Sequence, residues 1–266
     1  MTQTELGPRP PFFEPAIQAW VLTRYPDVLG ALSQPLLVAG GSGGAQRGSD
    51  GDFRLSSRRC LSPASMAAWQ SHLKTYAAGM TDHLPGEPYD LVTRCLQPFG
   101  IAAAAIVCDI SCGLALQLDS AARVLLAAAS DPLNRSHDVE AKTAASELGE
   151  RLRGKLEPLG VQAFVALSQT LPCFLAGACL ALLHDRDQLE TLWRDSSLMS
   201  NAVEELLRVA GPSRALLRYA TAPISIADVA IPANGRVALM LRSANRDPSR
   251  FSNPDRIDFK RDASGH

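Results

Sequence analysis

A chain of 266 residues, 46% of them hydrophobic, is long enough and apolar enough to bury a substantial core, so a single folded domain over 1–266 is expected and disorder is excluded as the default. The 26 basic and 27 acidic residues leave a formal charge of -1 and are spread along the chain, which gives no electrostatic reason to expect a nucleic acid or an anionic membrane as partner. The first residues, MTQTELGPRPPFFEP, lack the basic-then-apolar pattern of a secretory signal. The longest apolar candidate for a membrane span, residues 101–118, carries Asp109 and Gly113, so no membrane span is expected and a cytoplasmic protein follows. Six cysteines in such a chain read as reduced core residues rather than disulfides.

Taken in chain order, residues 17–28 predict a short strand ending at Tyr25-Pro26-Asp27, after which Asp27 is expected to cap a short helix toward Ser33. Residues 39–52, rich in Gly and Ser and nearly free of apolar side chains, read as a mobile loop. From 63 to 83 Met66, Trp69, Leu73, Tyr76 and Met80 recur at helical spacing behind Ser62, a ready cap for Pro63, and Pro85-Gly86-Glu87-Pro88 ends the helix. Further helical patterns cover about 92–118, where Cys108 and Cys112 would share one face, then 120–129, 138–156, 161–184, 187–193 and 199–209. Pro172 removes a backbone donor and is expected to kink the helix that contains it. Strand character is confined to about 224–231 and 236–240, so the fold class is mainly α with a small β-sheet.

Near the C-terminus Glu205 and Arg208 stand three apart on a predicted helix, so their side chains leave the same face. Alone, such a pair is usually a solvated surface pair. It is followed by Arg218, the turn Ile231-Pro232-Ala233-Asn234-Gly235-Arg236, the run Ala244-Asn245-Arg246-Asp247-Pro248, then Phe251, Pro254-Asp255-Arg256, Arg261 and His266. In that order, across 201–266, the succession resembles bacterial, soluble members of the cytochrome P450 superfamily, the haem-thiolate monooxygenases. Residues 20–28 resemble the family's first strand and helix, and 57–63 the start of its haem-crossing helix.

The resemblance implies a structural triad in which Glu205 and Arg208 match the family's Glu-x-x-Arg motif and Arg256 the arginine that joins them. It implies haem as cofactor, with Arg58, Arg218 and His266 near the propionates, and Arg54 standing where a second propionate partner is usual. It implies a small organic substrate and an electron-transfer partner. Aligned without gaps, the family's oxygen-activating motif falls on residues 166–170, so that Thr170 takes the catalytic threonine position. Leu167 then stands where the family has glycine and Gln169 where it has a carboxylate, and an amide does not deliver protons as a carboxylic acid does.

The family's cysteine loop would lie just beyond His266, and all six cysteines precede Glu205. The expectation is therefore a C-terminally truncated cytochrome P450-like fold with no thiolate ligand, its haem-dependent monooxygenation lost or impaired. The alternatives are a haem-free relative that stabilises a protein partner, and a non-functional gene fragment.

Overall fold

The computed structural model describes residues 7–39, 62–82, 88–130, 137–156 and 159–266. In chain order these form β1 (Phe12–Glu14), β2 (Ala19–Leu22), α1 (Tyr25–Leu32), β3 (Leu37–Val38), α2 (Pro63–Thr81), a π-helical turn (Val92–Leu96) leading into α3 (Gln97–Val107), α4 (Cys112–Ser130) and α5 (Asp138–Arg151). Next come α6 (Gly160–Val165), a second π-helical turn (Ala166–Thr170), α7 (Leu171–His184), α8 (Arg186–Arg194), α9 (Met199–Ala210), β4 (Leu216–Ala220), β5 (Ile224–Ile226), β6 (Val229–Ile231), β7 (Arg236–Leu239) and α10 (Leu241–Ala244). The predicted loop beyond Ala39, the segment carrying Arg58 and the Pro85-Gly86-Glu87 stop lie outside the described residues. By internal contacts the chain divides into two compact units, 1–46 with 177–266, and 47–176.

The first unit is built on a five-stranded sheet in the order β1-β2-β7-β4-β3. Here β2 runs parallel to β7, with Trp20 opposite Val237 and Leu22 opposite Leu239, while β4 runs antiparallel to β7. Strands alternate their side chains between faces, so Leu22, Val237 and Leu239 bury with Val28 and Ala31 of α1 on one side, and Ala19, Val21 and Ala238 on the other. Strand β2 lies within the strand expected over 17–28, whereas β1, β3 and β4 correct the expectation that strand character is otherwise confined to 224–231 and 236–240. The segment 224–231 is likewise a hairpin, not one strand: Ala227 and Asp228 have φ of 48° and 65°, the two left-handed residues of a tight hairpin turn.

Asp27 does not cap α1. The helix begins at Tyr25 with Pro26 in its first turn, and Asp27 is buried inside that turn and bonded to the Arg24 Nε at 2.7 Å. The Tyr25 amide is instead capped by the buried Asp247, whose Oδ2 accepts from it at 2.8 Å across 222 positions of sequence.

The second unit is helical. Ser62 caps α2 as expected, its hydroxyl accepting from the Ser65 amide at 3.2 Å. The predicted helix over 92–118 is broken, which separates Cys108 from Cys112. Asp109 takes φ 50°, and the Asp109 and Ile110 amides donate back to Ile106 and Ala105, closing a left-handed helix end. Ser111 then caps α4 by accepting from the Leu114 amide at 3.2 Å. Leu118, Ala122, Leu148, Leu152 and Phe164 bury against Ala104, Ala105 and Cys108 to form the core.

In place of a simple kink at Pro172 the chain widens into the π-helical turn at Ala166–Thr170, where the Leu171 amide reaches Ala166. The same widening at Val92–Leu96 precedes Pro98 by the same spacing. Proline has no N–H and crowds the carbonyl four residues back, and an extra residue in the turn relieves both problems. Two helices, Cys112–Ser130 and Gly160–His184, are long and apolar enough by length and composition to cross a membrane, which corrects the expectation that no stretch qualifies.

Candidate functional site

Helix α9 carries a clasp at the centre of the first unit. Glu205 and Arg208 both have wholly buried side chains, and the guanidinium Nε and Nη2 each donate to one carboxylate oxygen at 2.8 Å, a two-pronged pair. The third guanidinium nitrogen, Nη1, donates to the Asn245 and Pro254 carbonyls at 2.7 Å. Nη2 also reaches the Arg256 carbonyl at 3.3 Å. Arg208 thus holds three points of the segment that follows α10 against α9.

The predicted triad needs one correction. The second guanidinium on Glu205 belongs to Arg261, whose Nε donates to Oε1 at 3.1 Å, beside the Asp258 amide at the same distance. Arg256 is exposed and contributes its backbone carbonyl. The segment 252–261 curls so that Arg261 points inward, donating also to the Ser252 carbonyl, while Arg256 leaves the core side between Pro254 and the buried Ile257.

Arg218 lies on β4, opposite Val237, half-buried, its guanidinium donating to the adjacent Leu217 carbonyl at 3.0 Å. His266 places Nδ1 3.1 Å from the Ala263 carbonyl and 3.4 Å from a Glu204 oxygen, and with Leu207, Leu216 and Leu241 it lines a cavity of about 400 Å³. Arg218 is not part of that lining, so the described residues do not bring these two predicted propionate partners into one cavity. Arg58 lies outside the described residues.

Thr170 ends the π-helical turn of the second unit, next to Gln169. Gln169 donates through Nε2 to Asp119 at 2.6 Å and to the Ser168 hydroxyl at 3.2 Å. Asp119 was not singled out by sequence, because nothing in the pattern of α4 marks it from other helical acids.

A half-buried guanidinium with most of its donors to spare, as at Arg218, suits the carboxylates of a haem. An axial thiolate is a different matter. Cys108 is buried, and burial pushes its thiol up to about 11, which keeps it protonated at neutral pH. No cysteine occurs between residue 180 and His266, where Arg218 and the clasp lie. Among the described residues no group of three or more His, Cys, Asp or Glu could hold a metal ion. Among the described residues, then, Arg218 offers a guanidinium to a carboxylate, and the buried Cys108 offers no thiolate to an iron.

The fold is that of the cytochromes P450. P450BioI, solved in complex with hexadec-9Z-enoic acid ligated acyl carrier protein, superimposes with a TM-score of 0.83 over 97% of this chain and 80% of its own, at 20% identity. CYP109B1 from Bacillus subtilis gives 0.81 over the same shares of the two chains. In sequence, residues 187–261, which hold the whole clasp, match the family model for cytochrome P450. The chain is 38% identical over 125 residues to the monooxygenase PikC of Streptomyces venezuelae and 39% identical over 123 residues to the vitamin D(3) 25-hydroxylase of Pseudonocardia autotrophica. Each match takes in 46% of this chain and 30% of the relative. Residues 187–261 thus carry the cytochrome P450 family pattern in sequence, and the chain shares the family's fold.

Proposed function

We propose that the chain is a single cytochrome P450-like domain, cytoplasmic, whose parent activity is haem-dependent monooxygenation of a small organic substrate with electrons from a redox partner, and that it is impaired in that reaction. The observation that carries the reading is the Glu205–Arg208–Arg261 clasp, built within the segment that matches the family. Haem would supply the oxygen-activating chemistry. Arg218 is the candidate to pair with its carboxylates, as are Arg58 and His266 by resemblance, and Thr170 is the candidate hydroxyl on the oxygen side.

Impairment follows from residues, too. Gln169 stands in the carboxylate position and is spent as a donor to Asp119, and Leu167 fills a position that the family leaves to glycine. Titration of the purified protein with haem, followed by reduction under carbon monoxide, tests the reading. The expected result is binding that weakens in Arg218→Ala without the spectrum of thiolate-bound haem. That spectrum at one haem per chain would overturn the impairment, and no binding at all would overturn the haem site.

A second reading is a haem-free protein that stabilises a partner. It is favoured by large exposed apolar side chains, Trp193 at 86% and Leu183 at 58%, and by an apolar cleft of about 950 Å³ in the second unit lined by Met66, Trp69, Leu73, Phe99, Leu159 and Ala166. Strong binding of a hydrophobic dye together with no haem uptake would select it.

A further inference from the structure

Threonines in helices ordinarily turn their hydroxyl back onto the backbone, and this chain shows the habit. Thr75, Thr143 and Thr191 donate to the carbonyls of Ser71, Val139 and Asp187, each four residues back, at 3.1, 3.1 and 2.8 Å. Thr170 makes no such bond. The carbonyl it would reach, that of Ala166, instead accepts from the Leu171 amide in the wide turn. Pro172 accounts for the widening, but a missing N–H says nothing about which way the side chains of the widened turn point.

That direction is set from α4. Asp119, with only 14% of its side chain exposed, accepts from Gln169 Nε2 at 2.6 Å through Oδ1 and from Arg123 Nε at 2.8 Å through Oδ2. The same Gln169 nitrogen lies 3.2 Å from the Ser168 hydroxyl, which donates to the Phe164 carbonyl at 2.7 Å. Three consecutive residues of one turn therefore behave differently. Ser168 folds back onto the helix, Gln169 reaches out to a carboxylate on a neighbouring helix, and Thr170 is left with its hydroxyl uncommitted.

We propose that Asp119 is a positioning residue for Thr170: by anchoring Gln169 it holds the π-helical turn in the rotation that keeps the threonine hydroxyl free for an oxygen atom of a ligand. The identity of that oxygen rests on the monooxygenase reading above, whereas the anchoring does not. Charge makes the anchor effective, because a bond from an amide to a largely desolvated carboxylate is stronger than one between neutral groups.

The test uses isotopically labelled full-length protein and reads two signals in solution, hydrogen exchange at the Leu171 amide and the side-chain rotamer of Thr170 from three-bond couplings. Asp119→Leu is expected to speed Leu171 exchange about tenfold or more and to move Thr170 into the back-bonded rotamer. Gln169→Leu breaks the same bond from the other side and serves should the first variant fold poorly. Asp119→Asn keeps an acceptor oxygen without the charge and is expected to fall between the parent and Asp119→Leu in both signals. Arg123→Ala, at an exposed partner, is expected to leave both signals in place. Parent-like exchange and rotamer in both leucine variants would overturn the proposal. Haem titration of the same samples separates the two claims: a released turn in a chain that takes up no haem supports the anchor and sinks the oxygenase reading.

Discussion

The clasp shows how little of a charged residue's importance lies in its charge alone. Arg208 uses its planar fork in two directions at once, toward the Glu205 carboxylate and toward the Asn245 and Pro254 carbonyls. A lysine offers a point charge on a flexible stem, so Arg208→Lys is expected to destabilise almost as much as Arg208→Ala. Glu205→Ala leaves two cations facing a wholly buried gap and is expected to cost about 3–5 kcal/mol in urea denaturation. Arg256→Ala, which keeps the backbone carbonyl that Arg208 uses, is expected within about 0.5 kcal/mol of the parent, with Arg261→Ala clearly worse. Asp247 gives a pH-dependent case. Burial raises its carboxyl, but bonds from the Tyr25 amide and from the Ser249 hydroxyl and amide, with the charge of Arg24, more than offset this and hold it below the ordinary aspartate range. A depressed carboxyl contributes stability above its unfolded value and loses it as pH falls through the folded one. The melting-temperature gap between the parent and Asp247→Asn should therefore be widest near neutrality and close below about pH 4.

Helices and strands were unequally legible. Met66, Trp69, Leu73, Tyr76 and Met80 declare α2 because a surface helix must separate its faces, and Ser62 marks its start. The break at Cys108 to Ser111 stays hidden because the helices on both sides are rich in alanine and larger aliphatic residues, so apolar periodicity runs straight across it; only Asp109, one of the few residue types that tolerate a left-handed turn, hints at the end. Strands β1 and β3, of three and two residues, are too short for any alternation to register. The Glu205–Arg208 pair was readable from spacing, but the choice of Arg261 over Arg256 depends on how an irregular segment curls, and no periodicity reports that. The two wide turns were foreshadowed only by their prolines. Gly100 is where one of them becomes testable: a Cβ there would strike the Pro172 ring and come within 2.7 Å of the Leu167 carbonyl. Gly100→Ala is expected to cost about 1–3 kcal/mol despite the better helix propensity of alanine.

At the scale of the molecule, the helical unit can be interrogated through Cys108, which is buried in its core with its thiol pushed up to about 11. A thiol reagent at neutral pH should modify the exposed Cys112 and Cys173 in the native protein and reach Cys108 only as fast as that core opens. Rapid labelling of Cys108 in the native state would show that the core of α3, α4 and α5 is not closed. The sheet unit carries a different lesson, one of timing. Its strand β2 pairs with β7, and the amide that opens α1 waits for a carboxylate 222 positions later. A ribosome delivers the chain from its N-terminus, so residues 19–32 emerge long before anything exists for them to pair with, and the whole of 47–176 appears in between. Ribosome-bound chains halted before residue 236 should therefore present the first strands as a sticky edge to chaperones, and release of that edge should coincide with the appearance of β7 rather than with the folding of the helices made before it.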